Sequence, residues 1–288
     1  MASILLIGAN GQLGSDLRRG AAPGREVTAI TRQELDITDH RRVAGMLRET
    51  RPDVIVNTAA FINVETSEVE VDAAFAVNAV AVRNLAVAAD AIGACLVHIS
   101  TDYVFDGARR VPYTEQAPTG PLNVYGNSKL AGEFFVRALC RRHLIVRSSG
   151  LYGLAGSSGK GGNFVRTMLR LGKEKGEVSV VTDQVLTPTY TKDLAEMTWR
   201  LVDGGAQGVM HVTNSGSCTW SEFARAIFEL SGMDVAVHPT DSASVGLKAR
   251  RPAYSVLDNT RLEREGYGAM RPWREALAGH LQALGPLT

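Results

Sequence analysis

Tyr125 and Lys129 stand four residues apart in Tyr125-Gly126-Asn127-Ser128-Lys129, just before the apolar positions Leu130, Ala131, Phe134 and Phe135. On a helix such residues share a face, one turn apart. A phenol beside a fixed ammonium is suited to acid catalysis, because the positive charge favours phenolate and brings the pKa toward working pH. Surface helices also carry Tyr and Lys at this spacing with no chemistry attached. The pair therefore gains meaning only from the elements that position it and the groups that face it.

The start of the chain supplies a candidate for what it would act with. Ser3 to Ile7 reads as a strand and the residues to about Arg19 as a helix, joined by Gly8-Ala9-Asn10-Gly11-Gln12-Leu13-Gly14. Glycines spaced GxxGxxG let the backbone approach a pyrophosphate, and the helix N-terminus then faces its charge. A tight strand–helix turn without ligand is the plain alternative. Val27 to Ile30 is the second expected strand, and Thr31-Arg32 follows where such folds meet the adenosine ribose. An acid there favours NAD; an arginine suits a 2′-phosphate and so NADP. A solvated arginine at a strand end is the alternative. Asp36 and Ile37 lie close enough to approach the adenine.

The next elements alternate. Helix Asp39 to Glu49 is ended by Pro52, and strand Asp53 to Asn57 runs into the small residues Thr58-Ala59-Ala60, which leave room for a cofactor at the carboxyl edge of a sheet. An alanine-rich helix from Val69 to Ala91 is expected to be largely buried. Ala94 to Ile99 is continuously apolar, as buried parallel strands are. It ends in Ser100-Thr101-Asp102-Tyr103-Val104-Phe105-Asp106-Gly107, with hydroxyls and a carboxylate where chemistry is placed. Thr101 can bond a substrate carbonyl opposite a tyrosine, or simply cap the following turn. A proline-bearing loop from Val111 to Asn123 leads to the Tyr125 helix, which runs to about Cys140, and then to strand His143 to Arg147.

Beyond Gly153 the rhythm changes. Gly156 to Gly162 is glycine- and serine-rich and could form a lid. Short elements follow: helix Asn163 to Leu171, strand Val178 to Val181, a loop from Asp183 to Thr189, helix Lys192 to Val202, strand Val209 to Val212. A helix Trp220 to Ser231 capped by Ser217 or Thr219 and a last helix Trp273 to Leu284 complete the chain. The expected fold is α/β: a Rossmann-type doubly wound parallel sheet over residues 1–150, with a smaller mixed α/β substrate lobe over 151–288 and 183–212 returning to the first unit.

Composition narrows the function classes. The 288 residues carry a net charge of +1, so no bulk electrostatic case exists for a nucleic-acid or membrane partner. No uninterrupted apolar run reaches the ~18 residues of a membrane span. Cys95, Cys140 and Cys218 are scattered, which fits reduced thiols in the cytoplasm. The six histidines form no ligand-spaced cluster, and no metal site is expected.

Five stretches together carry a family pattern: the Gly8–Gly14 turn, Ser100 to Gly107, Tyr125 to Glu133, Asn163 to Leu171, and Arg251-Pro252 before Ser255-Val256-Leu257-Asp258. The chain resembles the extended short-chain dehydrogenase/reductases, and within them the branch that reduces nucleotide-linked 4-keto-6-deoxyhexoses of the dTDP-4-dehydrorhamnose kind, for deoxysugar biosynthesis. The resemblance implies NADPH as reductant, with NADH also open, a nucleotide-sugar substrate, and a homodimer as one open assembly. By it, Tyr125 is the proton donor, Lys129 holds the nicotinamide ribose and lowers the tyrosine pKa, and Thr101 takes the place of the usual catalytic serine. Gly8, Asn10, Gly11, Gln12 and Leu13 line the pyrophosphate, and Ala59 and Ala60 the middle of the cofactor. Asp102, Val104 and Asn163 contact the sugar nucleotide, Gln184 shapes its lobe, and Arg251 meets the diphosphate, for which a guanidinium fork is suited.

Two departures stand out. Where the family usually reads AAYTxVDxAE, this chain has Ile62 for the threonine and Glu65 for the aspartate. Where it reads RTSWVYG, Gly150 replaces the tryptophan that bounds the sugar pocket. Nucleotide-sugar epimerases and 4,6-dehydratases share the fold, but the dehydratases need an acid after the Thr-Asp pair, where this chain has Tyr103. The regulatory subunit of methionine adenosyltransferase is also similar to the family and also lacks the tryptophan, which keeps a non-catalytic reading open.

Overall fold

A computed structural model describes residues 2–156 and 162–285. The expected Gly156–Gly162 lid falls largely on residues outside those described. Five strands come in order from the first half of the chain: β1 (Ile4–Ile7), β2 (Val27–Ile30), β3 (Val54–Asn57), β4 (Cys95–Thr101) and β5 (His143–Ser148). A sixth, Gly208–His211, joins beside β5. The sheet order is Gly208–His211, β5, β4, β3, β1, β2, and every pairing is parallel. The chain runs outward in opposite directions from β1 and β3, which makes the carboxyl edge between them the crevice where open α/β sheets bind ligands.

Both faces of the sheet are covered, and the period-two alternation of a strand divides its residues between them. Ile4 and Leu6 of β1 pack with Leu13, Leu17, Leu194 and Trp199, from the helices Gln12–Arg19 and Thr191–Asp203. Leu5 and Ile7 pack on the other face with Val43, Leu47, Val82, Leu85 and Val136. The alanine-rich helix runs from Val71 to Ile92 and is interrupted at Ala76–Val80 by one wider π turn. By length and composition it could cross a membrane. Here Ala81, Val82, Leu85, Ala86 and Ala89 form a buried stripe, while Val71, Val80 and Val87 face outward. The expectation of a largely buried helix is thus corrected: a stripe at three- and four-residue spacing buries one face only.

A separate core cluster packs helices Phe164–Lys175, Trp220–Leu230 and Trp273–Leu284 around Val165, Leu169, Phe223, Ile227 and Leu277. Thr219, not Ser217, caps its helix, in a reciprocal box with Glu222. The strand Ala236–Thr240, paired in parallel with Glu177–Val181, has no sequence signal because its residues are half-exposed and include a proline. Strand Val185–Leu186, inside the expected 183–189 loop, pairs with Cys218–Thr219.

The wide turn places Asn78 against the Tyr125 helix, Val124–Leu139. Asn78 Oδ1 accepts from Phe61 N at 2.8 Å, and Nδ2 donates to Phe61 O and Ser128 Oγ. Gly132 permits this approach, because a Cβ there would lie 2.3 Å from the Asn78 carbonyl oxygen. Gly45, in helix His40–Thr50, has nothing within 4 Å of the same position. Helix propensity favours alanine over glycine by about 1 kcal/mol in both helices. Gly45→Ala is therefore expected to raise the urea midpoint. Gly132→Ala is expected to lower it, by about 1–3 kcal/mol of overpacking.

Candidate active site

The first element of the site is the glycine turn at the end of β1. Gly8 has φ +82°, and a Cβ on it would stand 2.7 Å from Thr58 Oγ1 and 3.0 Å from Ala59 N. The glycine lets the β1 and β3 loops meet at the crevice. A Cβ on Gly14 would lie 2.2 Å from Gly8 O, so this residue seats the first helix on its strand. That helix starts at Gly11 with no capping side chain and no acid in its first turn. Its free N–H groups and dipole suit an anion, and the bare backbone around it fits a dinucleotide pyrophosphate. Asn10 is exposed at the turn, and Ala59 and Ala60 are half-buried beside it. Leu13 packs its side chain into the core and offers only backbone. Ile37 likewise packs its side chain with Val43 and Leu47 and offers only backbone. Thr31 and Asp36 are half-buried and Arg32 is exposed at the end of β2.

Tyr125 and Lys129 project from one side of the helix Val124–Leu139, which Asn123 caps through Gly126 N. Gly126 lets the first turn press on Tyr103, whose carbonyl oxygen would be 2.3 Å from an added Cβ. The Tyr103 ring in turn lies edge-on to Tyr125, with centroids 5.9 Å apart. Thr101, at the end of β4, reaches the Tyr125 hydroxyl. Burial raises the pKa of the phenol well above its ordinary value, more than the Thr101 bond lowers it. Lys129 does not act on it: Nζ donates to the Ile99 carbonyl at 2.6 Å and lies 3.4 Å from His98 Nε2. The expected lowering of the tyrosine pKa by Lys129 is therefore corrected, because the ammonium is turned to the strand beneath. Burial pulls the lysine itself down to about 8, with Glu133 opposing.

Thr101 is both a cap and a neighbour of the phenol. Its hydroxyl accepts from Tyr103 N at 3.2 Å and donates to Asp102 Oδ1 at 3.0 Å. Asp102 is 3% exposed and also accepts from Ser149 Oγ at 2.7 Å. The Val104 side chain is fully buried with Phe105, Tyr113 and Leu257.

Two networks beneath the site were not among the sequence expectations. Glu133, one turn after Lys129, takes the Arg147 guanidinium in a fork, with Nε–Oε1 2.9 Å and Nη2–Oε2 2.6 Å, and accepts from Ser100 Oγ at 2.5 Å. Both charged side chains are at most 3% exposed. The second network starts at Asn57, whose Oδ1 accepts from Ala59 N, so that Nδ2 faces His98 Nδ1 at 3.3 Å. His98 Nε2, on the other side of the ring, lies 3.4 Å from Lys129 Nζ. Burial and the lysine charge keep the imidazole neutral. Asn57 and His98 are register partners across β3 and β4. Only the strand pairing reveals them, whereas Glu133 was visible as a second i+4 step from Lys129.

The remaining candidates gather toward the lobe. Asn163 caps its helix through Arg166 N and donates to Gln12 Oε1 and Gly153 O. Gln184 lies between Trp220 Nε1 and Ser242 Oγ. Both side chains hold scaffold together. Arg251 Nη2 donates to Glu65 Oε1 at 2.7 Å and Nη1 to Tyr103 Oη at 3.2 Å, while its buried Nε has no acceptor. Glu65 also accepts from Lys248 N, so the longer acid ties the Arg251 segment to the cofactor side. Gly150 has φ +56°, and a Cβ there would lie 2.8 Å from Leu186 Cδ1 and 3.1 Å from Pro188 Cα, leaving no space for a tryptophan. Among the described residues no cluster of metal-ligating side chains occurs.

Removing one partner of the buried pair tests its structural weight. Glu133→Gln leaves the Arg147 guanidinium unpaired in the core and is expected to destabilise by about 3–5 kcal/mol, read by urea unfolding.

The chain is similar to known proteins over almost its whole length. The family description "RmlD substrate binding domain" matches residues 1–285. The chain is 44% identical to the spore coat polysaccharide biosynthesis protein SpsK of Bacillus subtilis, over 98% of each chain. It is 44% identical to a dTDP-4-dehydrorhamnose reductase of Streptomyces griseus, covering 97% of this chain and 93% of the relative. The crystal structure of dTDP-4-dehydrorhamnose reductase from Bacillus anthracis in complex with NADP superposes with a TM-score of 0.93 at 42% identity, covering 98% of this chain and 99% of that one.

Proposed function

The chain belongs to the family of the RmlD substrate binding domain, and on that premise we propose that it reduces the C4 ketone of a dTDP-linked 4-keto-6-deoxyhexose with NADPH. The observation that carries the reading is the junction of Thr101, Tyr125 and Lys129 beside a glycine turn built for a pyrophosphate. The free cysteines fit a cytoplasmic setting.

Gly8, Gly11, Gln12 and the backbone of Leu13 would hold the dinucleotide pyrophosphate, and Lys129 the nicotinamide ribose. When bound, the cofactor supplies the hydride that adds to the carbonyl carbon. Tyr125 gives its proton to the carbonyl oxygen as charge develops there. A buried phenol with a raised pKa is fully protonated at neutral pH, and the alkoxide it meets is the stronger base. Thr101 fixes the direction of the phenol. Its hydroxyl, which also meets Asp102, holds the carbonyl oxygen opposite the tyrosine. Arg251, with one buried donor free, is the cation for the diphosphate.

Tyr125→Phe is expected to lower turnover by ~10²–10⁴-fold while NADPH affinity stays within about twofold. Near-wild-type turnover would remove Tyr125 from the reaction. Steady NADPH consumption with the keto sugar separates a reductase from an epimerase or a regulatory subunit, neither of which consumes external reductant.

The pH dependence follows from Lys129, held at about 8 by burial. Above that value the ammonium loses its proton, so kcat/KM should fall with a limb near pH 8. The sign for stability is opposite. The folded pKa lies below the unfolded 10.5, so the unfolded chain binds more protons between the two values. The lysine's contribution to stability therefore rises with pH across that window.

A further inference from the structure

Arg251, the cation for the diphosphate, is already held by an acid in this structure. Glu65 Oε1 accepts from Arg251 Nη2 at 2.7 Å, and Glu65 Oε2 from Lys248 N at 2.9 Å, across 186 and 183 residues of chain. The other arm of the guanidinium, Nη1, donates to Tyr103 Oη at 3.2 Å, with Cζ 5.7 Å from the centroid of the same ring. Nε is buried and meets no acceptor among the described residues. A carboxylate and a phenol thus engage both arms of the fork, and the third donor does not face solvent. The Arg251 side chain is 17% exposed and that of Glu65 34%. Burial raises the Glu65 carboxyl, but the Lys248 N–H and Arg251 outweigh it and hold the group below its usual range, so it is ionised at neutral pH.

A diphosphate needs the same fork. Its oxygens and the Glu65 carboxylate are like charges, and partly out of water they repel within a few ångströms. The backbone on either side keeps its place without the ion pair. Asn123 Nδ2 donates to Arg250 O at 2.8 Å, and Val185 N to Ala253 O at 2.9 Å. Pro252 packs so closely on Gly107 that an added Cβ there would lie 2.6 Å from the Pro252 Cα. On the other side, Glu68 Oε1 accepts from Val124 N and ties the Glu65 segment to the start of the Tyr125 helix. Exchange of one anion for the other therefore asks only side chains to turn.

We propose that Glu65 is a stand-in for the substrate's diphosphate: it occupies Arg251 until a nucleoside diphosphate displaces it, and so sets how tightly this chain holds such compounds. This rests on Arg251 as the diphosphate cation of the proposed reductase, but not on the hydride step or the identity of the sugar.

The test is calorimetric titration of the full chain with dTDP at neutral pH, for the wild type, E65Q, R251A and the double variant. E65Q removes the charge but keeps an acceptor oxygen, so the contact is preserved in shape. It is expected to tighten dTDP binding by roughly three- to tenfold, as a partly exposed competing charge allows. R251A should weaken binding, and in that background E65Q should change it by less than about twofold, because the two act through one contact. A purely structural Glu65 predicts the opposite sign, since loosening the Arg251 segment weakens binding. E65Q at or below wild-type affinity, with R251A weaker, overturns the exchange alone. An equal gain from E65Q with and without Arg251 marks a general field and overturns it as well. A wild type that does not bind dTDP, or R251A binding as tightly as wild type, overturns the diphosphate role of Arg251 together with this proposal.

Discussion

The buried pair of Glu133 and Arg147 is the interaction on which the site depends. It joins three elements: Glu133 from the helix Val124–Leu139, Arg147 from β5 and, through its hydroxyl, Ser100 from β4. Thr101 follows Ser100 directly, and Lys129 and Tyr125 stand one and two turns before Glu133. The pair therefore fixes how far the phenol stands from the strand end that orients it. Two charges out of water are costly unless every lone pair finds a donor. Here the carboxylate is bonded by Nε, Nη2 and a serine hydroxyl, and the guanidinium also lies over the Phe105 ring.

The electrostatics of the site follow from burial more than from pairing. Desolvation raises the tyrosine, lowers the lysine and keeps His98 neutral. An ammonium paired closely to the phenol would make the tyrosine more acidic but also favour its ionised form, which has no proton to give. In this chain the lysine is held by the Ile99 carbonyl and faces the His98–Asn57 line that continues to Ala59 at the cofactor crevice. Tyrosine and lysine thereby have separate partners, Thr101 for the one and the Ile99 carbonyl for the other.

Much of this was legible in the sequence because it rests on local pattern. The glycine spacing, the apolar strands and the i+4 pair are each set within a few residues, and the sheet and the Tyr125 helix lie where those patterns place them. What the sequence did not show depends on pairing across the fold. Asn57 and His98 meet only once β3 and β4 are in register. Val104 lies in a motif that carries chemistry, yet its own side chain alternates into the core. Asn163 and Gln184 are polar residues in the expected places, but their donors are taken by Gln12, Gly153 and Ser242. The absence of the tryptophan has a cause of the same kind, since the backbone at Gly150 is left-handed and Leu186 and Pro188 fill the space beside it.

The central claim is that this chain delivers a hydride to C4 of a keto sugar while Tyr125 supplies the proton. The most direct test is to supply NADPH deuterated at the transferable position of C4 of its nicotinamide with a dTDP-4-keto-6-deoxyhexose, and to read the sugar by NMR. The account predicts one NADPH oxidised per sugar, with deuterium at C4 of the hexose. A sugar converted without net oxidation of NADPH, or a product with no label at C4, would contradict it.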